Sequence, residues 1–173
     1  MAPLVKRTWA LRGHRPELLQ KGKHREKVSL AVALWLSPRR DRLGLMYRTL
    51  VNDYFNNHQI ARFLELLMRE IPNRLVVLWD RGNMHKGDPI RAQVERYRPR
   101  LSLESLPPWA PMLDPAEPLF SWLKYGRLSN FAPREANELN KTVLRELHSI
   151  SEDQESLRNL WHASDLPLPR RLT

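Results

Sequence analysis

Cysteine is absent from all 173 residues. Disulfides, thiolate metal sites and a cysteine nucleophile are therefore excluded. Long apolar runs are missing too, since none approaches the roughly 18 residues that a membrane span needs. The opening Met-Ala-Pro-Leu-Val-Lys-Arg lacks the apolar core of a signal peptide, so a cytoplasmic protein is expected. Acidic residues are scarce: 19 Asp and Glu face 29 Lys and Arg, a net charge of +10. Such an excess favours a polyanionic partner, of which nucleic acid is the commonest, although a basic protein that is merely soluble or ribosome-associated fits the charge as well. No internal repeat or low-complexity linker divides the chain. Its length suits one domain with a genuine core and room for extra helices.

The first 27 residues are irregular and basic, broken by Gly13, Pro16 and Gly22. They read either as an arm that contacts phosphates or as a solvated loop. Val28 to Leu36 is short, apolar and bounded by turn signals, which fits a buried strand, though periodicity alone does not separate it from a helical segment. After a polar turn, Leu43 to Val51 alternates, with Leu45, Tyr47, Thr49 and Val51 on one face. The pair reads as an antiparallel hairpin.

Asn56 or Asn57 can cap a helix that carries Ile60, Phe63, Leu64, Leu67 and Met68 on one face and stops at Pro72. Residues 74–80 form a continuous apolar run ending in Asp80, expected to be a strand buried on both faces and parallel to another. Asp80 then stands at a strand's C-terminal end, where open α/β sheets place ligand sites. A loop with Gly82, Asn83, His85 and Gly87 leads to a helix from Asp88-Pro89, and residues 101–106 alternate as a short strand.

Residues 106–124 stand out. Proline fills five of the first thirteen positions, so the backbone is expected to be extended and stiff. Asp114, Pro115 and Glu117 then read as N-cap, first and third positions of a helix, a capping box. Beyond Gly126 the chain reads as helical, with Leu139, Val143, Leu144 and Leu147 on one face of residues 133–150. Ser151 is expected to open a last helix containing Leu157, Leu160 and Trp161, and the tail from Pro167 to be frayed.

An acid at a strand end and an acid at a later helix start suit a two-metal phosphoryl-transfer site, because hard divalent cations prefer carboxylate oxygens. Spacing alone leaves Asp80 equally explicable as a turn former and Glu117 as a capping residue. The wording of the two motifs is more specific. Val-Val-Leu-Trp-Asp80-Arg-Gly-Asn-Met-His85-Lys and Leu106-Pro-Pro-Trp-Ala-Pro-Met-Leu-Asp114-Pro-Ala-Glu117-Pro-Leu-Phe-Ser-Trp122-Leu-Lys124 resemble the DDE transposases of the mariner-type superfamily, the bacterial insertion-sequence branch in particular. Thr8-Trp9-Ala10, with Gly13 and Pro16, resembles a further stretch of that family. The likeness covers roughly residues 5–130, and 36 residues lie between the two acids, close to the family's interval.

The resemblance implies an α/β, ribonuclease H-like mixed sheet flanked by helices over residues 1–130, with a helical extension over 131–173. It implies metal-dependent cleavage and joining of DNA at insertion-sequence ends. Asp80 and Glu117 would be the second and third catalytic acids, binding Mg²⁺ or Mn²⁺. His85 would position the site or touch phosphate, unless it merely caps a helix. Lys86, Lys124, Arg7 and Arg12 are further candidate DNA contacts, Lys124 because it lies seven residues after Glu117 on the same helical face. Trp109 replaces the family's Tyr, and Asp114 its usual Asn. A homodimer would suit paired DNA ends, and association with the nucleoid would follow from DNA binding.

The family's first acid belongs to an Asp-Glu pair on a central first strand, just before the Arg-Thr-Trp-Ala segment. Met1 to Lys6 contains no acid, and Asp41 and Asp53 do not match that motif. The family's N-terminal helix-turn-helix domains have no counterpart either. The expectation is therefore a truncated frame: an internal start, a decayed copy or the second half of a frameshifted gene. Without the first strand its neighbours would face a gap with unpaired backbone and exposed apolar side chains. Such a chain is expected to be inactive and marginally folded. The alternatives are a catalytically dead, basic nucleic-acid-binding remnant and another ribonuclease H-like nuclease completed by an acid elsewhere.

Overall fold

The computed structural model describes residues 4–14, 16–18, 26–39 and 42–167. Asp41 and the tail beyond Pro167 lie outside them, as do Arg15, Lys21, Lys23, His24 and Arg25 of the basic segment. Strands β1 (Val28–Leu36) and β2 (Leu43–Val51) form the expected antiparallel hairpin, in register from Val28 opposite Val51 to Leu36 opposite Leu43. Trp35 lies over its cross-strand partner Gly44 and leaves no room there for a Cβ.

Helix α1 (Asn57–Glu70) comes next. Asn56 caps it through a complete capping box: its side chain accepts from Gln59 N, and the Gln59 side chain accepts from Asn56 N. Asp53 belongs to this junction, taking Tyr54 N and Gln59 Nε2 on its carboxylate. Then come β3 (Leu75–Trp79), α2 (Asp88–Arg96) and β4 (Leu101–Ser105). Strands β3 and β4 are parallel, and α2 supplies the crossover that such a pair needs.

The sheet is in two pieces among the described residues: β1 pairs only with β2, and β3 only with β4. Helix α1 lies across both. Its buried face (Ile60, Phe63, Leu64, Leu67) packs with Ala31 and Ala33 of β1, Met46 of β2, Leu75, Val77 and Trp79 of β3, and Leu103 of β4. One helix thus holds together two sheets that share no hydrogen bonds. The expectation that β3 is buried on both faces is corrected: Val76 is 60% exposed and Leu78 50%. Only the face toward α1 is covered.

The opposite face of the hairpin has its own cover, α4 (Ala136–Ser151) and α5 (Gln154–His162). Leu139, Val143, Leu147, Ile150, Leu157, Leu160 and Trp161 pack with Leu43, Leu45 and the β1 residues Val28, Leu30, Val32 and Leu34. Gln154 fastens α5 to the start of β2, accepting from Leu43 N and donating to Leu43 O. The last helix is capped by Asp153, which accepts from Glu155 N and Ser156 N, and not by Ser151, which ends α4. Asp is the stronger acceptor, and its position gives both amides a partner.

Candidate active site

Trp79 and Ser105 are paired across the parallel strands. The segments after β3 and β4 therefore leave the sheet from adjoining ends. Leu106 N donates to Trp79 O at 2.8 Å, and Arg81 Nε donates to Leu106 O at 3.3 Å. These bonds stitch the Asp80 loop to the start of the proline-rich segment. The loop is tied to α1 as well, through Asn57 Nδ2 and Lys86 O.

Asp80 is the first residue after β3. Its side chain is 70% exposed, while that of His85 is 18% exposed. Asp80 Oδ1 accepts from Gly82 N at 2.8 Å and lies 2.9 Å from His85 Nδ1. His85 ends a short 3₁₀ turn (Asn83–His85), and its ring stacks on Trp79 at 4.5 Å between centroids. A Cβ on Gly82 would come within 2.9 Å of Asp80 Oδ1. A side chain at this position would have to displace the carboxylate.

The second acid arrives by a less regular path than its sequence suggests. The segment is not extended throughout: it turns at Pro108 and Trp109, with Trp109 at φ +60°, and then makes a 3₁₀ turn, Pro111–Leu113. Each proline fixes its own φ but leaves Trp109 free to take the left-handed conformation. Helix α3 (Glu117–Ser121) begins with Glu117, which is exposed. The expected capping box is also corrected. Asp114 Oδ1 accepts from Ala116 N at 2.9 Å, two residues on, and its carbonyl accepts from Glu117 N. This is an Asx turn, the local alternative open to an Asp side chain.

Burial pushes the Asp114 carboxyl above its usual value against the bond from Ala116 N; the Asp80 charge raises it further and His85 lowers it. Asp114 is thus electrostatically joined to the Asp80–His85 pair, a link that the sequence signalled only through Asp standing where Asn is usual.

After Ser121 the winding widens to a π-helical turn, Trp122–Arg127. This removes the basis for placing Lys124 on the face of Glu117, because that inference assumed 3.6 residues per turn throughout. Lys124 is exposed, as are Lys86, Arg7 and Arg12. Arg7 and Arg12 lie on an irregular segment anchored by a bridge from Leu4 to Ser129 and by Lys6 N donating to Asn130 Oδ1. Sequence reasoning overlooked Gly82 and Trp79, the two neighbours that fix the Asp80–His85 pair. Both were in the quoted motif, but the backbone donor and the stacked ring arise only in the folded chain.

Carboxylate oxygens are the donors that Mg²⁺ and Mn²⁺ take. Asp80 and Glu117 are of this donor type, and both are exposed. Among the described residues no three His, Cys, Asp or Glu side chains come together to hold one.

Comparison with known proteins bears on the family and the fold. The chain belongs to the DDE superfamily endonuclease family, whose pattern it matches over residues 2–140. No curated protein matches it. Among solved structures it is similar to the catalytic domain of Mos1 mariner transposase, with 17% identity, a TM-score of 0.54, and coverage of 81% of this chain and 78% of that one. It is similar as well to the Mos1 mariner paired end complex with Mn, with 14% identity, a TM-score of 0.60, and coverage of 93% of this chain and 49% of that one. The Mos1 transposase paired-end complex with left transposon end gives 16% and 0.61, covering 98% and 48%. This chain therefore spans about half the length of the Mos1 transposase chains in those complexes. The fold is α/β and ribonuclease H-like. Among the described residues no helix is long and apolar enough to cross a membrane.

Proposed function

We propose that the chain is the larger part of a DDE transposase catalytic unit acting on DNA at insertion-sequence ends, with Asp80 and Glu117 as its second and third acids. The observation that carries this reading is the pairing of Trp79 with Ser105, which launches both acid-bearing segments from adjoining strand ends. Asp80 and Glu117 would hold Mg²⁺ or Mn²⁺, and a bound ion would supply activation of the attacking oxygen and stabilisation of the leaving one. The chain's own residues hold and aim those carboxylates. The basic side chains Arg7, Arg12, Lys86 and Lys124 would contact phosphates. A homodimer would bring two DNA ends together, and α4 and α5 would form a C-terminal helical extension of the unit.

The site so built is incomplete. The two sheets share no strand pairing among the described residues, and we propose that one further strand joins them. We place the remaining acid on that strand, and the 173 residues alone are then inactive. The test is metal-dependent nicking of duplex DNA by the chain with and without an apolar strand segment ending in Asp-Glu, joined at its N-terminus. Nicking that needs the segment and disappears in Asp80→Asn or Glu117→Gln supports the proposal. A folded, segment-bearing protein that binds DNA but never cuts it supports the second reading, a nucleic-acid-binding remnant, which the charge of +10 favours.

A further inference from the structure

We propose that His85 is a positioning residue: its Nδ1–H holds one oxygen of Asp80, so that the other faces outward for a divalent cation. The inference rests on the reading of Asp80 as a metal-binding acid. His85 Nδ1 lies 2.9 Å from Asp80 Oδ1 and 3.2 Å from the Asp80 main-chain carbonyl. A carboxylate oxygen and a carbonyl oxygen are both acceptors, so the nitrogen between them carries the proton. In the neutral ring Nε2 is then the unprotonated nitrogen.

Two further contacts give this arrangement its direction. Gly82 N donates to the same oxygen, Oδ1, at 2.8 Å. Oδ1 is thus held from two sides, while Oδ2 is left to the exposed side of a carboxylate that is 70% open. The Trp79 ring stacks nearly flat on His85, with 10° between their planes, and fixes the imidazole where its Nδ1 points back at Asp80. The competing structural role for His85, a helix cap, is excluded. The cap of α2 is Gly87, and that helix start has no side-chain cap bond.

Side chains that orient a ligand from behind commonly change metal affinity by about 10- to 100-fold when lost. Asn and Gln separate this role from simple bulk. Asn carries an N–H near the position of Nδ1, whereas Gln reaches toward that of Nε2. The experiment uses the full chain and two readouts, the His85 tautomer by ¹⁵N NMR without metal, and Mn²⁺ affinity by electron paramagnetic resonance. The expected results are an Nδ1–H tautomer, an affinity loss on the order of 10-fold in His85→Gln and His85→Ala, and near-complete rescue in His85→Asn. Circular dichroism of each variant shows whether the fold persists.

An Nε2–H tautomer in the folded chain overturns the proposal, whatever the metal does. So does a His85→Ala variant that binds Mn²⁺ as tightly as the unaltered chain while Asp80→Asn loses the ion. Mn²⁺ binding that Asp80→Asn leaves intact overturns the reading of Asp80 itself and the His85 proposal with it.

Discussion

Ala33 of β1 and Val77 of β3 pack against the same face of α1, although their strands share no hydrogen bond. One helix therefore spans two separate two-stranded sheets. Its burial keeps them in one body, while each strand is paired along one edge only among the described residues. Unpaired edges beside exposed apolar side chains are a recognised route to self-association.

Charging the uncovered face of β3 should suppress that self-association. Val76→Lys with Leu78→Lys is expected to lower the fraction of oligomer seen by sedimentation velocity. Both side chains are already half or more exposed, so unfolding free energy should change by no more than about 0.5 kcal/mol per site. Unchanged sedimentation would show that the open face is not what the chain associates through.

The cover provided by α1 should be the costliest to weaken. Leu64 is 2% exposed, and Leu64→Ala is expected to cost about 2–5 kcal/mol in urea unfolding. Asn56→Ala, which removes the cap that pairs with Gln59, should cost about 1 kcal/mol. A Leu64→Ala cost as small as that of the cap would mean that α1 does not carry the two half-sheets.

Gly82→Ala should disturb Asp80 without disturbing the fold. The added Cβ would sit 2.9 Å from Asp80 Oδ1, closer than such contacts normally come. The carboxylate would be displaced from the Gly82 N–H and His85. Mn²⁺ affinity is expected to fall several-fold, on the order of 10-fold, with an unchanged circular dichroism spectrum.

Asp114 gives a pH prediction with a definite sign. Its carboxyl is pushed above the usual value, chiefly by burial, so ionising it works against the folded state. The stability it contributes is full below its unfolded value, about pH 4, and is lost as pH rises through its higher folded value. Asp114→Asn keeps an oxygen for Ala116 N but cannot ionise. The variant should therefore be more stable than the unaltered chain near neutral pH and indistinguishable from it below about pH 4. Urea unfolding at both pH values checks this; a variant less stable at neutral pH would contradict it.

Legibility in the sequence depended on whether the signal was local. The hairpin ends agree with expectation because Ser37-Pro38 and the alternation of residues 43–51 are local determinants. Asn56 was legible for the same reason, with Gln59 three residues on. The Asp114 turn was not, since the same side chain can serve an Asx turn or a helix cap, and the choice rests on how Pro111–Leu113 delivers it. The π-helical turn at Trp122 has no sequence pattern distinct from an α-helix. Nor did the apolar run ending at Trp79 reveal that one face of β3 is uncovered, because burial depends on what packs there. At the site, residue types pointed to Asp80 and Glu117, but the contact between His85 and Asp80 Oδ1 depends on how the loop folds back on Trp79.

The most direct test of the account is a nicking assay on supercoiled DNA with the 173-residue chain and Mg²⁺ or Mn²⁺, beside the Asp80→Ala and Glu117→Ala variants. The account predicts no cleavage by the chain alone above the level of either variant. Robust metal-dependent cleavage by the chain alone, abolished in both variants, would contradict it.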